Sequence, residues 1–516
     1  MSRRGRFLAL ALAAVLPLSA CGGPAAGPAD PGRPVAGGSA RVLQITEPRG
    51  LDPAALSNEY VLTAFLGNAL YGTLMVNDPK TGKIEHTMAE GFATTDGGAT
   101  FELSLRPGLR FSDGSPLDAA AVKVNWDRLK DPATGSSYVH EASMIASTAV
   151  LDATTLRVTM AEPVPNYAQA VVTSSLNWIA SPKALRAGQR AFDEKPVGAG
   201  PFTLESWARQ DAIELVRNPG YWDAPKPYLD RLTLRTSSDG SQRLNTVVSG
   251  GADVAIETNW GNLAKAREAG LNTQLVPLNG GITVAMNTRR APFDDVRARR
   301  AVAAALDPRA MGVSVYNGEN LAAPTLFTDS SPFHTDLPLA RTDKAEAQRL
   351  FDELAAEGKP VSFTFTSGPT TEIRAIAENV QAQLSAFDNV HVEVKVVDIT
   401  KVLALRSTYD FDMLVGSAYF ADPETRLWTA FHGDSRRNLA GIDDDRLDAG
   451  LQRGRTATST GERKAAYEEV QKRLIELVPA IFVSRPAPSV ITGSNVGGAV
   501  QYGHGSLLPE ELWIQP

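Results

Sequence analysis

The stretch FELSLRPGLRFSDGSP, Phe101 to Pro116, decides how the chain is read. Phe101, Leu103 and Leu105 alternate with Glu102, Ser104 and Arg106, a period of two that suits a strand with one buried face. Pro107-Gly108 and Gly114-Ser115-Pro116 follow. Glycine accepts positive φ and proline fixes chain direction, so a strand running into tight turns is predicted.

The same alternation recurs at Leu156, Val158 and Met160, and at Val392, Val394 and Val396. Helical patterns lie between such stretches. Asp343 and Glu346 have capping-box spacing ahead of the stripe Leu350, Phe351 and Leu354, which ends at Gly358 and Pro360. Ser459 and Glu462 open another helix, with Tyr467, Val470, Leu474, Leu477 and Val478 on one face. Asp307-Pro308 opens a third, proline suiting the first turn. A mixed α/β fold is expected, with no repeat of short period.

Composition bounds the class. The 516 residues are 43% hydrophobic and 21% charged, which excludes disorder, collagen and coiled coil and allows two to four domains. The net charge of −7 leaves no basic excess for a nucleic-acid backbone. One cysteine, Cys21, rules out a disulfide within the chain and any Cys-based zinc or iron–sulfur site. Arg3, Arg4 and Arg6 precede an apolar run from Phe7 to Leu16, too short to anchor in a bilayer and typical of a secretory signal. Leu18-Ser19-Ala20-Cys21 resembles a bacterial lipobox, which implies a lipid on the Cys21 sulfur and a mature chain starting there. Removing residues 1–20 takes three arginines and no acid, moving the balance to −10. Residues 21–40, rich in Gly, Pro and Ala, read as a flexible tether.

Catalytic signatures are missing. There is no G-x-S-x-G, G-K-[ST] loop, G-x-G-x-x-G or H-E-x-x-H. The six histidines, His432 among them, lack ligand spacing, so neither a metal nor a cofactor is expected. Asp443-Asp444-Asp445 lacks the alternation and distal Glu of a calcium loop and reads as a solvated turn before a helix.

Four blocks carry a resemblance. The first is Met88-Ala89-Glu90-Gly91 leading into the opening stretch. The second is Pro196-Val197-Gly198-Ala199-Gly200-Pro201-Phe202 with Arg217-Asn218-Pro219-Gly220-Tyr221-Trp222. The third is Asn287 with Pro292-Phe293-Asp294-Asp295-Val296-Arg297 and then Ala301 to Asp307. The fourth is Tyr409-Asp410-Phe411-Asp412, Ala421-Asp422-Pro423 and Asn438 onward. In this order and spacing the chain resembles the large extracytoplasmic solute-binding proteins of ABC importers, the dipeptide, oligopeptide and nickel binding family. Read physically, the blocks are mostly fold punctuation: Gly198-Ala199-Gly200-Pro201 reads as a flexible-then-rigid bend between domains, and Tyr221-Trp222 as packing at a core edge.

The resemblance implies a two-lobed, periplasmic-binding-protein-like α/β fold of the Venus-flytrap kind. Lobe one is expected at 41–70, 197–279 and 490–516, an extra subdomain at 71–196, and lobe two at 280–489. A solute, peptide or peptide-like, binds in the cleft and passes to a membrane permease. The protein is then a lipid-anchored monomer on the outer face of the cell membrane, and not an enzyme.

The resemblance also implies site residues. Peptide-binding relatives pair an aspartate before the D-P step with the ligand ammonium. Aligned on Asp422-Pro423, that position here holds Tyr419, a departure from the family pattern. Arg374, ahead of Ala377-Glu378-Asn379-Val380-Gln381, matches an arginine that relatives use, and either pairs with a ligand carboxylate or is a surface helix residue. Tyr419, Phe420, Trp428 and Trp260 are candidate cleft aromatics, Asp422 a further candidate, and Asn58 and Glu59 a candidate polar wall. An oligosaccharide or metal-chelate binder of the same fold remains an alternative, as do a cell-envelope hydrolase and a sensory or chaperone-like role.

Overall fold

A computed structural model describes residues 32–319 and 322–516. Cys21 and the proposed signal segment lie outside the described residues. Three sheets organise the chain. A seven-stranded sheet runs in the order Asn272–Leu275, Ser489–Thr492, Val254–Glu257, Ser39–Gln44, Arg231–Thr236, Ala212–Arg217 and Phe202–Ala208. Ser39–Gln44 is its centre, parallel to both neighbours. Because that strand starts at Ser39, the last two residues of the expected tether already belong to the sheet.

The five-stranded sheet has the order Val390–Val396, Val361–Ser367, Met413–Phe420, Asn279–Met286 and Ala480–Ser484. A four-stranded antiparallel sheet, Ala89–Ala93, Thr100–Leu105, Thr155–Met160 and Ile145–Val150, forms the third body with its own core. Among the described residues two short crossovers join the seven- and five-stranded sheets. Val276-Pro277-Leu278 leads out and Arg485-Pro486-Ala487-Pro488 leads back. They lie side by side, Val276 N donating to Pro488 O at 3.1 Å. Arg485, the first residue of the returning crossover, is buried and donates to the Gly280 and Leu326 carbonyls at 2.5 and 3.1 Å.

The opening stretch folds as its pattern dictates. Phe101, Leu103 and Leu105 are buried on one face of strand Thr100–Leu105 while Glu102 faces out. Gly108 and Gly114 take φ of 77° and 81°. Asp113 Oδ1 accepts from Ser115 N at 2.9 Å, closing the turn. Ser459 and Glu462 form a complete capping box on helix Thr460–Leu477, and Asp343 and Asp307 cap their helices as the spacing predicts. Val390–Val396 forms too, but as an edge strand, so of its alternating valines only Val392 is buried.

The motif blocks hold one another. Ser112 N donates to Gly198 O at 2.8 Å, joining the first block to the second. Asn218 Nδ2 donates to Gly200 O at 2.8 Å and its backbone N to Pro201 O at 2.9 Å. Asn287 Nδ2 donates to the Tyr409 and Phe411 carbonyls at 2.9 and 2.7 Å, joining the third block to the fourth. Gly198 and Gly200 are not a flexible bend. They lie flat against the C-terminal end of helix Ala64–Tyr71, where a Cβ would stand 2.1 Å from Leu70 O at Gly198 and 2.3 Å from Ala69 O at Gly200. Neither has positive φ, so close approach, and not conformational freedom, requires glycine here.

Gly200→Ala is therefore expected to destabilise the fold by about 2–3 kcal/mol through overpacking against immovable backbone. Thermal unfolding measures it, and an unchanged midpoint contradicts the packing account.

Candidate functional site

The site forms where the five-stranded sheet faces the seven-stranded one. Strand Met413–Phe420 ends in the loop Ala421 to Thr425, and helix Arg426–Phe431 follows. Thr425 is buried and caps that helix at φ 63°, a left-handed backbone that a β-branched residue adopts only when its surroundings force it. The loop is thus held, with Tyr419 on one side and Arg426 on the other.

Both side chains reach Glu59, which lies on the opposite side of the seam ahead of helix Ala64–Tyr71. Tyr419 Oη donates to Glu59 Oε2 at 3.2 Å, and the Arg426 guanidinium pairs with the same carboxylate. His504 Nδ1 is 3.7 Å from Glu59 Oε1. Tyr60 and His504 set their rings edge-on to Tyr419, with centroids at 6.3 and 6.1 Å. Burial pushes the Arg426 pKa well down, with repulsion from Arg437 adding to it. Burial likewise drives His504 well below its usual range, helped by Arg426 and Arg437, so the imidazole is neutral and Glu59 is the acidic partner of Arg426. Burial raises Tyr419 well above the phenol range, so its hydroxyl keeps the proton it donates.

A second patch crosses the same seam beside the four-stranded body. Trp428 is stacked between His140 and His432, with centroids at 4.7 and 4.3 Å. Arg437 Nη1 is 3.4 Å from Glu141 Oε1, and Gln452 Nε2 donates to Glu162 Oε2 at 2.8 Å. Burial lowers His140 to about 4 and raises Glu141. Glu424, 3.6 Å from Arg455, is pushed up to about 7 by burial. His140 Nε2, Trp428 Nε1 and His504 Nδ1 are buried without a hydrogen-bond partner among the described residues. Buried donors and acceptors left without partners in the protein favour a polar guest.

The predicted residues divide by position. Tyr419 and Glu59 meet at the seam, and Trp428 lies in the second patch against His140. Phe420 does not: strand alternation turns it away from Tyr419 into the core with Phe327, fully buried. The Asp422 carboxylate is also directed elsewhere, into a fork with Arg463 at 2.6 and 3.0 Å. Asn58 is fully buried, donating to Val172 O at 2.9 Å and accepting from Ser506 Oγ at 2.6 Å, so its amide is spent inside the lobe. Arg374 is exposed, 3.7 Å from Glu378 one turn on. From the same helix Glu372 faces inward and accepts from Tyr316 Oη at 2.7 Å, its carboxyl raised by burial. Trp260 Nε1 donates to Arg485 O at 3.1 Å and so belongs to the crossover.

Sequence reasoning passed over Arg426, Arg437, His504, Tyr60 and Glu372. Arg426, four residues beyond Asp422, carried a positional hint; His504 stands in an otherwise featureless Gly-His-Gly. No group of three or more His, Cys, Asp and Glu among the described residues is arranged to hold a metal, and His432 Nδ1 accepts from Asp434 N at 3.2 Å. No helix among the described residues is long and apolar enough to cross a membrane.

Comparison with known proteins places the chain in a family. Residues 83–438 match the family model described as bacterial extracellular solute-binding proteins, family 5 Middle. The glutathione-binding protein GsiB of Salmonella paratyphi A is 29% identical over 285 residues, 55% of each chain, so the chain matches about half the length of that curated relative. The oligopeptide-binding protein AppA of Bacillus subtilis, solved with a nonapeptide, superposes with a TM-score of 0.80 at 20% identity, covering 94% of this chain and 100% of its own. The periplasmic binding protein DppA of Helicobacter pylori, solved with the peptide STSA, gives 0.81 at 21% identity, covering 93% and 99%. These likenesses establish the two-lobed α/β fold.

Asp422→Ala leaves the Arg463 guanidinium without its carboxylate and is expected to cost about 3 kcal/mol of stability. The loss should appear in urea unfolding while solute affinity stays unchanged; lost affinity in a fully folded variant would return Asp422 to the site.

Proposed function

Because the chain belongs to the bacterial extracellular solute-binding proteins of family 5, we propose that it is the substrate-binding subunit of an ABC importer, capturing a peptide or peptide-like solute between its lobes and delivering it to a membrane permease. In this reading the lobes are 41–70 with 197–279 and 490–516, and 280–489, with 71–196 as the extra subdomain. Cys21 carries the lipid that holds the protein at the outer face of the membrane. The role involves no covalent step.

The observation that supports it is the meeting of Glu59, from one side of the cleft, with Tyr419 and Arg426 from the other. An acid and a guanidinium on opposing lobes suit a zwitterion. The ammonium of the solute takes the Glu59 carboxylate, its carboxylate takes Arg426, and Tyr419 steadies Glu59 through its hydroxyl. Tyr419 thus leaves the ammonium to an acid of the other lobe, where relatives place the acid on this loop. A solute touching both lobes is what biases such a pair of bodies toward closure. With no solute bound, the two charges compensate each other, which keeps the buried seam from holding an unpaired ion.

Native mass spectrometry of protein purified without denaturation, with a thermal-shift panel of peptides, glycans and nickel complexes, tests the assignment. Peptides should raise the melting midpoint. Glu59→Gln and Arg426→Gln should each weaken the peptide about 10- to 100-fold, as expected for one charge-assisted hydrogen bond of about 1.5–3 kcal/mol. Stabilisation by glycans alone, or by nickel complexes alone, overturns the peptide reading. Metabolic labelling with a lipid analogue tests the anchor and should vanish in Cys21→Ser.

A further inference from the structure

A cavity of about 510 Å³ lies away from the cleft, between the four-stranded body and the C-terminal segment. The hairpin of strands Met75–Asn77 and Ile84–His86 forms one wall, and Tyr221-Trp222 with residues 500–511 form the other. Its volume suits a small molecule. Its apolar surface comes from Val76, Val500, Leu508 and the Trp222 indole, over which the Arg106 guanidinium sits at 4.9 Å.

The charged groups divide by depth. Glu510 is at the bottom, 6% exposed, with Tyr221 Oη 3.5 Å from its Oε1. Its other oxygen, Oε2, is buried and accepts no hydrogen bond among the described residues. Lys226 lines the cavity too, but its ammonium is engaged by Glu511 at 2.7 Å and Asp223 at 3.1 Å. Asp78, Glu85 and His86 stand nearer the mouth. With Lys226 neutralised by two carboxylates, Arg106 faces three acids: Glu510 within, Asp78 and Glu85 outside. The cavity is therefore an acidic pocket whose lining includes Glu510, a residue with one buried carboxylate oxygen that has no hydrogen-bond partner among the described residues.

We propose that this cavity is a second binding site, independent of the cleft, for a small organic cation whose ammonium or guanidinium pairs with Glu510 and whose apolar stem lies along Trp222. A buried carboxylate oxygen without a partner is costly, and a cationic donor removes that cost with a charge-assisted hydrogen bond. Burial has pushed the Glu510 carboxyl up to about 7, with Glu511 and Asp223 raising it further and Lys226 opposing. Binding a cation thus expels the Glu510 proton to solvent, and affinity rises with pH. His86, held below its usual range by burial and by Arg106, acts in the same direction if it takes a proton at lower pH. A variant at position 510 separates the two.

Calorimetric titration with putrescine, and with 1,4-butanediol as its uncharged isostere, tests the site in the full chain. Putrescine should bind about tenfold more tightly at pH 8 than at pH 6, since the ionised fraction of Glu510 rises about that much across a pKa near 7. Glu510→Gln should fold, because it replaces a buried acid with a neutral isostere, and should abolish both the binding and its pH dependence. Trp222→Leu should weaken binding while leaving the pH dependence. Arg426→Gln, in the cleft, should leave putrescine binding unchanged. Equal binding of butanediol, full binding by Glu510→Gln, pH dependence surviving in that variant, or loss of binding in Arg426→Gln would each overturn the assignment.

Discussion

Two crossovers of three and four residues carry the chain between its main sheets, and the architecture follows from how short and stiff they are. Pro277, Pro486 and Pro488 restrict them, the bond from Val276 N to Pro488 O ties them together, and the Arg485 guanidinium holds the Gly280 and Leu326 carbonyls. Burial lowers the Arg485 pKa to about 10, and carbonyl oxygens satisfy its donors in place of an acid. Segments of this length cannot let the sheets drift apart. They keep the end of strand Met413–Phe420 facing the segment before helix Ala64–Tyr71, and so bring Tyr419 to Glu59 across 360 residues of sequence. The proposed closure is a rotation about this pair of strips, with Tyr419 close beside them, opposite Gly280 just beyond the outgoing strip.

Much of the fold could be read from the amino-acid order, since the reading relied on local rules. Alternation placed strand Thr100–Leu105, and capping residues placed the helices after Asp307, Asp343 and Ser459. The failures are tertiary. Gly198 and Gly200 read as a flexible bend because nothing nearby in sequence says that the end of a helix presses on them. Val396 looks like a buried strand residue, but half of it is exposed because its strand has no outer neighbour.

The site was harder to read for the same reason. Glu59 and Tyr419 each stood out, one as a polar residue near the start of lobe one and the other by its offset from Asp422-Pro423. Their contact could not be foreseen. Arg426, His504 and Glu372 become interesting only when the fold buries them against charges from distant segments. Phe420 is different: the alternation of its own strand places it opposite Tyr419, so adjacency in sequence is not adjacency in space. Trp222 does pack at a core edge with Tyr221 against its ring, and both also wall the acidic cavity.

Closure over a solute held by Glu59 and Arg426 is the central claim, and the distance between the lobes reports on it directly. Val248 and Val313, 51% and 65% exposed on helices Gly240–Val248 and Pro308–Tyr316, one in each proposed lobe, accept spin labels as cysteines once the single native cysteine is replaced in Cys21→Ser. Pulsed electron–electron resonance should show the distance distribution narrowing to one shorter value when the peptide selected by thermal shift is added. In Glu59→Gln/Arg426→Gln the distribution should stay broad at the same peptide concentration. A distribution that does not change in the wild-type background while the peptide is demonstrably bound would contradict the account.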